Sequence, residues 1–130
     1  MLAVTKFEAD YVEATRKRIK ADVSAFKKLD SPPAALEHAF FNNLVLALDR
    51  SFVHRVRKNE GKNGNPLNEV RILVDSLIEH GGVMTANSTI NLKQEESVLG
   101  YEFGDRIEVG AKGFERLADG FFAEIASRFR

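Results

Sequence analysis

The chain has no cysteine and no tryptophan, and neither sign of charge is in excess. Without cysteine there is no disulfide, no thiolate metal ligand and no thiol nucleophile, which fits a reducing, cytoplasmic setting. Lysine plus arginine equals aspartate plus glutamate, 19 against 19, so no net field draws the chain to nucleic acid or to a membrane surface. No apolar run approaches the roughly 18–20 residues that span a bilayer. The longest, AFFNNLVLAL, is broken by Asn42 and Asn43. The N-terminal MLAVTKFEADYVEATRKR becomes charged early and has no cleavage-site pattern, so no signal peptide is expected.

Catalytic signatures are missing as well. There is no Gly-x-Ser-x-Gly elbow and no Gly-x-Gly-x-x-Gly turn. His38, His54 and His80 are far apart in sequence, and no Glu-x-x-His pair is present to build a di-iron bundle site. Neither a metal site nor a cofactor is expected.

What is present is helical patterning in a chain of 130 residues, enough for one domain over 1–130. A composition of 44% hydrophobic and 29% charged residues is that of an ordinary globular protein with a real core. Phe7, Tyr11, Ile19, Val23 and Phe26 recur at helical spacing and predict a first helix over about 4–29. Ser31 then reads as an N-cap with Pro32 at the first helical position. A second helix is expected over about 33–58, with a stripe of Phe41, Leu44, Val45, Leu48 and Phe52. Phe40, Leu46, Ala47 and Val53 widen its apolar surface, which places it in the middle of a bundle. Asn65 and Pro66 start a third helix with a stripe of Leu67, Val70, Val74, Leu77 and Ile78, and Gly81-Gly82 ends it. A last helix covers about 112–128.

Residues 83–111 read differently. STINL and RIEV alternate with period two, and Gly104-Asp105 suits a two-residue hairpin turn. The expected fold is therefore mainly α: an antiparallel four-helix bundle with a two- or three-stranded β appendage at about 88–109, before the last helix.

The most polar stretch is VRKNEGKNGNPLNEVR, Val56 to Arg71. It lacks the Gly-Lys-Ser/Thr ending of a phosphate loop. Aligned as a calcium loop from Asn59, it has Gly61 at a ligand position and Val70 where the anchoring glutamate belongs. Anion binding at the third helix's N-terminus remains open, beside a plain connection whose asparagine caps that helix; capping explains Asn65-Pro66 in full and carries more weight. The binding candidates are Arg57, Lys62, Asn65, Asn68, Glu69 and Arg71. Residues 50–71 are locally basic and 72–111 acidic, so the two surfaces are expected to meet, within one chain or across a dimer.

Asn43, Arg50 and His54 share a stripe of the second helix, and Asn42 and Asp49 are also polar. A network that fixes helix register is one reading, with Asp49, Glu69 or Asp75 answering Arg50 or Arg57. The other is a cleft with His54 as general base and arginines holding an anionic substrate.

Three resemblances follow. RSFVHR, Arg50 to His54, resembles the arginine-spacer-histidine element of helical HEPN-type ribonucleases, with a three-residue spacer where that family has four to six. It implies metal-independent RNA cleavage by Arg50 and His54. STINLKQEESVLGYEFGDRIEV resembles half of the swapped-hairpin DNA-binding fold of AbrB and MazE type regulators, although here the segment is acidic where phosphate contacts need cations. FFNNLVLALDRSFVHRVR, GNPLNEVR, SVLGYEFGD and FFAEIASRF together resemble a group of short bacterial proteins with no known activity, which implies a compact bacterial domain and nothing more. The sequence thus points to a helical module that associates with itself as a homodimer or with another protein, with no membrane partner. The alternative is an anion- or RNA-directed enzyme or binder using the Arg/His stripe.

Overall fold

The computed structural model describes residues 3–130. Five α-helices are present among them: α1 Ala9–Lys27, α2 Ala34–Ser51, the short α3 Arg57–Glu60, α4 Pro66–Glu79 and α5 Ala111–Arg128, with a 3-10 turn at Gln94–Glu96. α2 and α5 form the middle pair and each packs against the other long helices, with α1 and α4 on either side. One hydrophobic cluster takes side chains from all four long helices, among them Ile19, Phe41, Leu48, Leu73, Phe114 and Phe121. No helix among the described residues is long and apolar enough to cross a membrane.

The third and last helices form where the sequence places them. Asn65 caps α4 by accepting from the N–H groups of Leu67 and Asn68, and Pro66 stands in the first turn, where its missing N–H costs nothing. Gly81 and Gly82 both take positive φ after the C-cap residue His80, the left-handed geometry that ends a helix.

The expected β appendage is absent: no strand is present among the described residues. The alternation reported burial and not pairing. Ile90, Leu92, Ile107 and Val109 are all buried, as period two implies. Their backbone groups, however, find other partners. Asn42, on α2, donates Nδ2–H to the Ile107 carbonyl and accepts from the Val109 N–H, clasping both ends of that segment. The Asn91 N–H donates to the Lys62 carbonyl. Residues 82–84 and 104–107 do share three backbone hydrogen bonds, Met84 N–H to Asp105, Gly104 N–H to Met84 and Ile107 N–H to Gly82, but these amount to one isolated antiparallel bridge, Val83 to Arg106, and not to a strand pair. Buried backbone groups must be paired, but side chains and distant loops can do it as well as a neighbouring strand. The swapped-hairpin architecture of the AbrB and MazE resemblance falls with the appendage.

Other boundaries differ too. The first helix starts at Ala9, because Val4 runs extended and exchanges backbone hydrogen bonds with His54 and Val56. Ser31 is not a cap; it has φ of +45°, and Pro33 occupies the N-cap position of α2 without a side-chain bond. The second helix stops at Ser51, seven residues short of 58, with Phe52 leaving helical geometry. Tyr11 and Ile78, assigned to core stripes, are exposed. The second helix is not wholly enclosed either: its outward residues Leu36, Ala39, Asn43, Ala47 and Arg50 face solvent.

Candidate functional site

The polar loop folds around one carboxylate. After α2 ends at Ser51, the chain turns Arg55 inward, and α3 presents Glu60 to it. Both side chains are fully buried. Arg55 Nε donates to Glu60 Oε1 at 2.9 Å, and its second terminal nitrogen pairs with Asp49 Oδ1 at 2.9 Å. A further Arg55 N–H reaches the Phe52 carbonyl at 3.0 Å, and its guanidinium lies over the Phe121 ring. From α4, Arg71 donates to both Glu60 oxygens, at 2.6 Å and 3.0 Å, and Asn68 Nδ2 donates to Oε2 at 2.8 Å. Two arginines meet two carboxylates, so the cluster is formally neutral. Burial by itself would raise the Glu60 carboxyl. The hydrogen bonds and charges of Arg71 and Arg55, with the Asn68 amide, outweigh it and hold the group below the ordinary range.

Asn65 extends the cluster, donating to the Glu60 carbonyl at 2.8 Å while it caps α4. Asn68 Oδ1 accepts the Gly64 N–H at 2.9 Å. Gly64 has φ of +87°, and a Cβ there would lie 2.5 Å from the Asn91 carbonyl oxygen, so only glycine lets the loop pass this close.

Glu69 does separate work. It is 1% exposed, and its two oxygens accept the N–H groups of Val98 and Leu99 at 2.7 and 2.9 Å, pinning the 97–99 loop to α4. Burial pushes its carboxyl above the ordinary range, against the pull of those two donors and the charge of Arg116. The pH consequences of the two glutamates are opposite. Glu60, depressed, stabilises fully above its unfolded pKa and less as pH falls through its folded value. Glu69, raised, keeps its proton longer in the folded chain, so its contribution declines as pH rises from its unfolded to its folded value. Glu69→Gln should therefore remove a loss of stability with rising pH in the mildly acidic range. It should also leave one loop N–H unpaired, at about 1–3 kcal/mol. Thermal melts of both proteins across that range check this; a parent-minus-variant difference that grows with pH would contradict it.

The sequence candidates are thus divided. Asn65, Asn68 and Arg71 are brought together around Glu60, whereas Glu69 pins a separate loop, and all four are buried or half-buried. Arg57 and Lys62 are exposed; Lys62 contributes its carbonyl to Asn91. Arg50 is exposed on the last turn of α2, and His54 is exposed beyond its end. His54 lines a groove with Val4, Lys6, Phe7, Glu8, Tyr11, Ser51 and Val53, and Arg50 is not part of it. The basic loop does not reach the acidic segment through ion pairs; Arg55 and Arg71 pair with Asp49 and Glu60 on their own side. No buried side-chain nitrogen or oxygen among the described residues lacks a partner, and no three acidic or histidine side chains converge as a metal set. Every fully buried side-chain nitrogen and oxygen of the cluster is thus bonded within the protein.

Sequence reading missed Arg55 and Glu60 as a pair. The available signal was an acid, Glu60, amid the basic residues of the loop, five residues after Arg55. It also missed Asn42 as the clasp on Ile107 and Val109, and Glu37, which accepts the Ala111 N–H at the start of α5.

Two surface grooves remain. One, of about 210 Å³ between α1 and α5, has a floor that includes Ile19, Val23 and Phe114, and the ion pairs Lys27–Glu115 and Arg16–Asp119 close its rim. The other, of about 480 Å³, is open and mainly apolar, lined by Asp22 of α1 with Leu36, Ala39, Phe40, Asn43 and Leu44 of α2. Compared with known protein families, with curated proteins and with solved structures, the chain gives no significant match.

Proposed function

We propose that this protein works by association, as a helical module that binds a second copy of itself through the outer face of α1 and α2. One observation carries the reading: the solvent side of α2 is Leu36, Ala39, Asn43, Ala47 and Arg50, a stripe with a single charge, beside an apolar groove. Leu36 is 47% exposed, and Leu29, at the end of α1, is similarly open. A helical stripe with one charge at its end, next to an apolar groove, is the kind of surface that marks an association site. The outward Leu36, Ala39 and Ala47 of the second helix, which the core does not cover, have a purpose on this reading. The polar cluster supports it indirectly, because the groups that could have done chemistry are spent on holding the loop. No observation favours the RNA-directed alternative, since Arg50 and His54 line no common groove.

The test is molar mass in solution by sedimentation or light scattering, over roughly 1–100 µM. A rise from 14.5 kDa toward twice that value is expected. The double substitution Leu36→Glu, Ala39→Glu should return the mass to that of one chain without lowering the thermal midpoint, because both positions are exposed. A chain that stays at 14.5 kDa across the range sinks the reading.

A further inference from the structure

Residues 93–103 run as a strap over the seam between α4 and α5, and the strap has no core of its own. A hollow of about 340 Å³, lined by Leu92, Gln94, Tyr101, Glu102 and Phe103, lies between its two limbs. It is bounded by Leu92, which is buried, and by Gly104, whose N–H donates to the Met84 carbonyl. Apart from the Glu102–Asp105 turn at its end, few hydrogen bonds among the described residues tie it to the rest of the chain. They are the Val98 and Leu99 N–H groups donating to Glu69, and the Glu108 N–H donating to the Tyr101 hydroxyl. Others stay inside the strap: Gln94 Nε2 donates to the Gly100 carbonyl, and the Gly100 N–H donates to the Ser97 hydroxyl. Contact with the core comes from Val98, Leu99 and Tyr101, all only partly buried, while Phe103 is exposed.

The closed position is set by two side chains and one carboxylate. A Cβ at Gly113 of α5 would lie 3.2 Å from Leu99 Cδ2, and one at Gly120 would lie 3.8 Å from Val98 Cγ2 and 3.0 Å from Pro66 Cγ. Glycine inside a helix is unfavourable relative to alanine, and here it lets the strap and the start of α4 come close. Glu69 of α4 supplies the remaining hold, and it has no ion pair; Arg116, exposed on α5, acts on it only through its field. Closing the strap therefore takes a carboxylate out of water with no cation in contact. The lost hydration offsets much of the gain from the two N–H bonds. Opening returns that carboxylate to water and breaks few apolar contacts, so it should be far easier than parting the helices.

We infer that residues 93–103 open as one unit on Glu69, their latch, while the four long helices stay packed. The chain then has a closed form and an open form in which Glu69 stands uncovered at the α4–α5 seam. This device is separate from self-association, because the strap and the outer α2 face share no residue.

Native-state amide hydrogen exchange on the full chain, followed by NMR in rising urea below the unfolding transition, tests it. The Val98 and Leu99 amides should exchange together, faster than those of Leu48 and Phe121 in the core of α2 and α5. Their exchange should also depend much less on urea, because the opening exposes little surface. Two substitutions separate the strap from the body. Glu69→Gln removes one latch acceptor and should lower protection at Val98 and Leu99 by about tenfold or more. Phe52→Leu weakens the body alone: Leu48 and Phe121 should lose roughly tenfold in protection, with less than about a twofold change at Val98 and Leu99. Should Glu69→Gln fail to fold, Glu69→Asp, which keeps the charge on a shorter arm, reads the latch in its place. Strap amides that share the urea slope of Leu48 and Phe121, or fall with them in Phe52→Leu, would mean that the strap opens only when the whole chain unfolds. Protection at Val98 and Leu99 that ignores both Glu69 substitutions would remove Glu69 as the latch.

Discussion

Glu60→Ala should cost about 3–5 kcal/mol of folding free energy, because it leaves the buried Arg55 with only part of its counter-charge. Arg55 would keep Asp49 and the Phe52 carbonyl but lose its bond to Oε1, and Arg71 would lose both of its contacts. The Asn68 amide would lose an acceptor as well. Urea denaturation measures the loss, and the midpoint should shift with little change in slope if the folded state stays compact. Glu60→Gln isolates charge from shape. It keeps one acceptor oxygen but places an amide where an arginine needs an oxygen, so it should lie between alanine and the parent. A loss below about 1 kcal/mol for Glu60→Ala would show that the cluster is solvated and interchangeable. The network's gross attraction should not be mistaken for net stability, because desolvating four charged groups offsets much of it. What the cluster secures is arrangement: it ties the end of α2, the start of α4 and the turn between them to one point.

Phe52→Ala should be of comparable size, about 3–5 kcal/mol for a fully buried aromatic ring. Phe52 is the hub of an aromatic group, with ring centroids 4.9 Å from Phe7, 5.7 Å from Tyr11, 5.6 Å from Phe121 and 5.8 Å from Phe122. It therefore joins the N-terminal segment and α1 to the middle of α5. Its carbonyl accepts from Arg55, whose guanidinium lies over Phe121 at 5.4 Å, so the aromatic group and the ionic cluster share atoms. The two substitutions should accordingly not be additive. A double-mutant cycle between Phe52→Leu and Glu60→Gln should return a coupling above about 0.5 kcal/mol. Simple additivity would separate the two groups and contradict the shared role given to Arg55.

The helical part of the fold was legible because helices announce themselves locally. Asn65-Pro66 starts α4 through a bond spanning two or three residues, and Gly81-Gly82 ends it by backbone geometry alone. The apolar period in Phe114, Leu117, Phe121, Phe122 and Ile125 likewise marks α5, and all five are buried. In residues 83–111 the same logic worked for burial and failed for structure. Alternation tells which side chains go inward but not what their backbone groups bond to. Here those partners include Asn42, Glu69 and Lys62, 29 to 67 positions away in sequence, beside three backbone bonds between 82–84 and 104–107 that do not extend into strands.

The site was legible only in part for the same reason. The sequence by itself determined that the Val56–Arg71 loop turns the chain and launches a helix, and that it lacks the residues for nucleotide or calcium. It also determined that the second helix is more apolar than one core stripe requires. Only the tertiary structure decided that Arg55, and not Arg50 or His54, turns inward, because helix two ends at Ser51 and the extended Val4 segment takes up the backbone of His54 and Val56. Only it decided that Phe40 packs against the core cluster while Leu36, Ala39 and Ala47 of α2 face outward. Helix propensity and periodicity act over a turn or two of chain. The choice of partner for a buried charge, or for an uncovered face, is made across the whole fold.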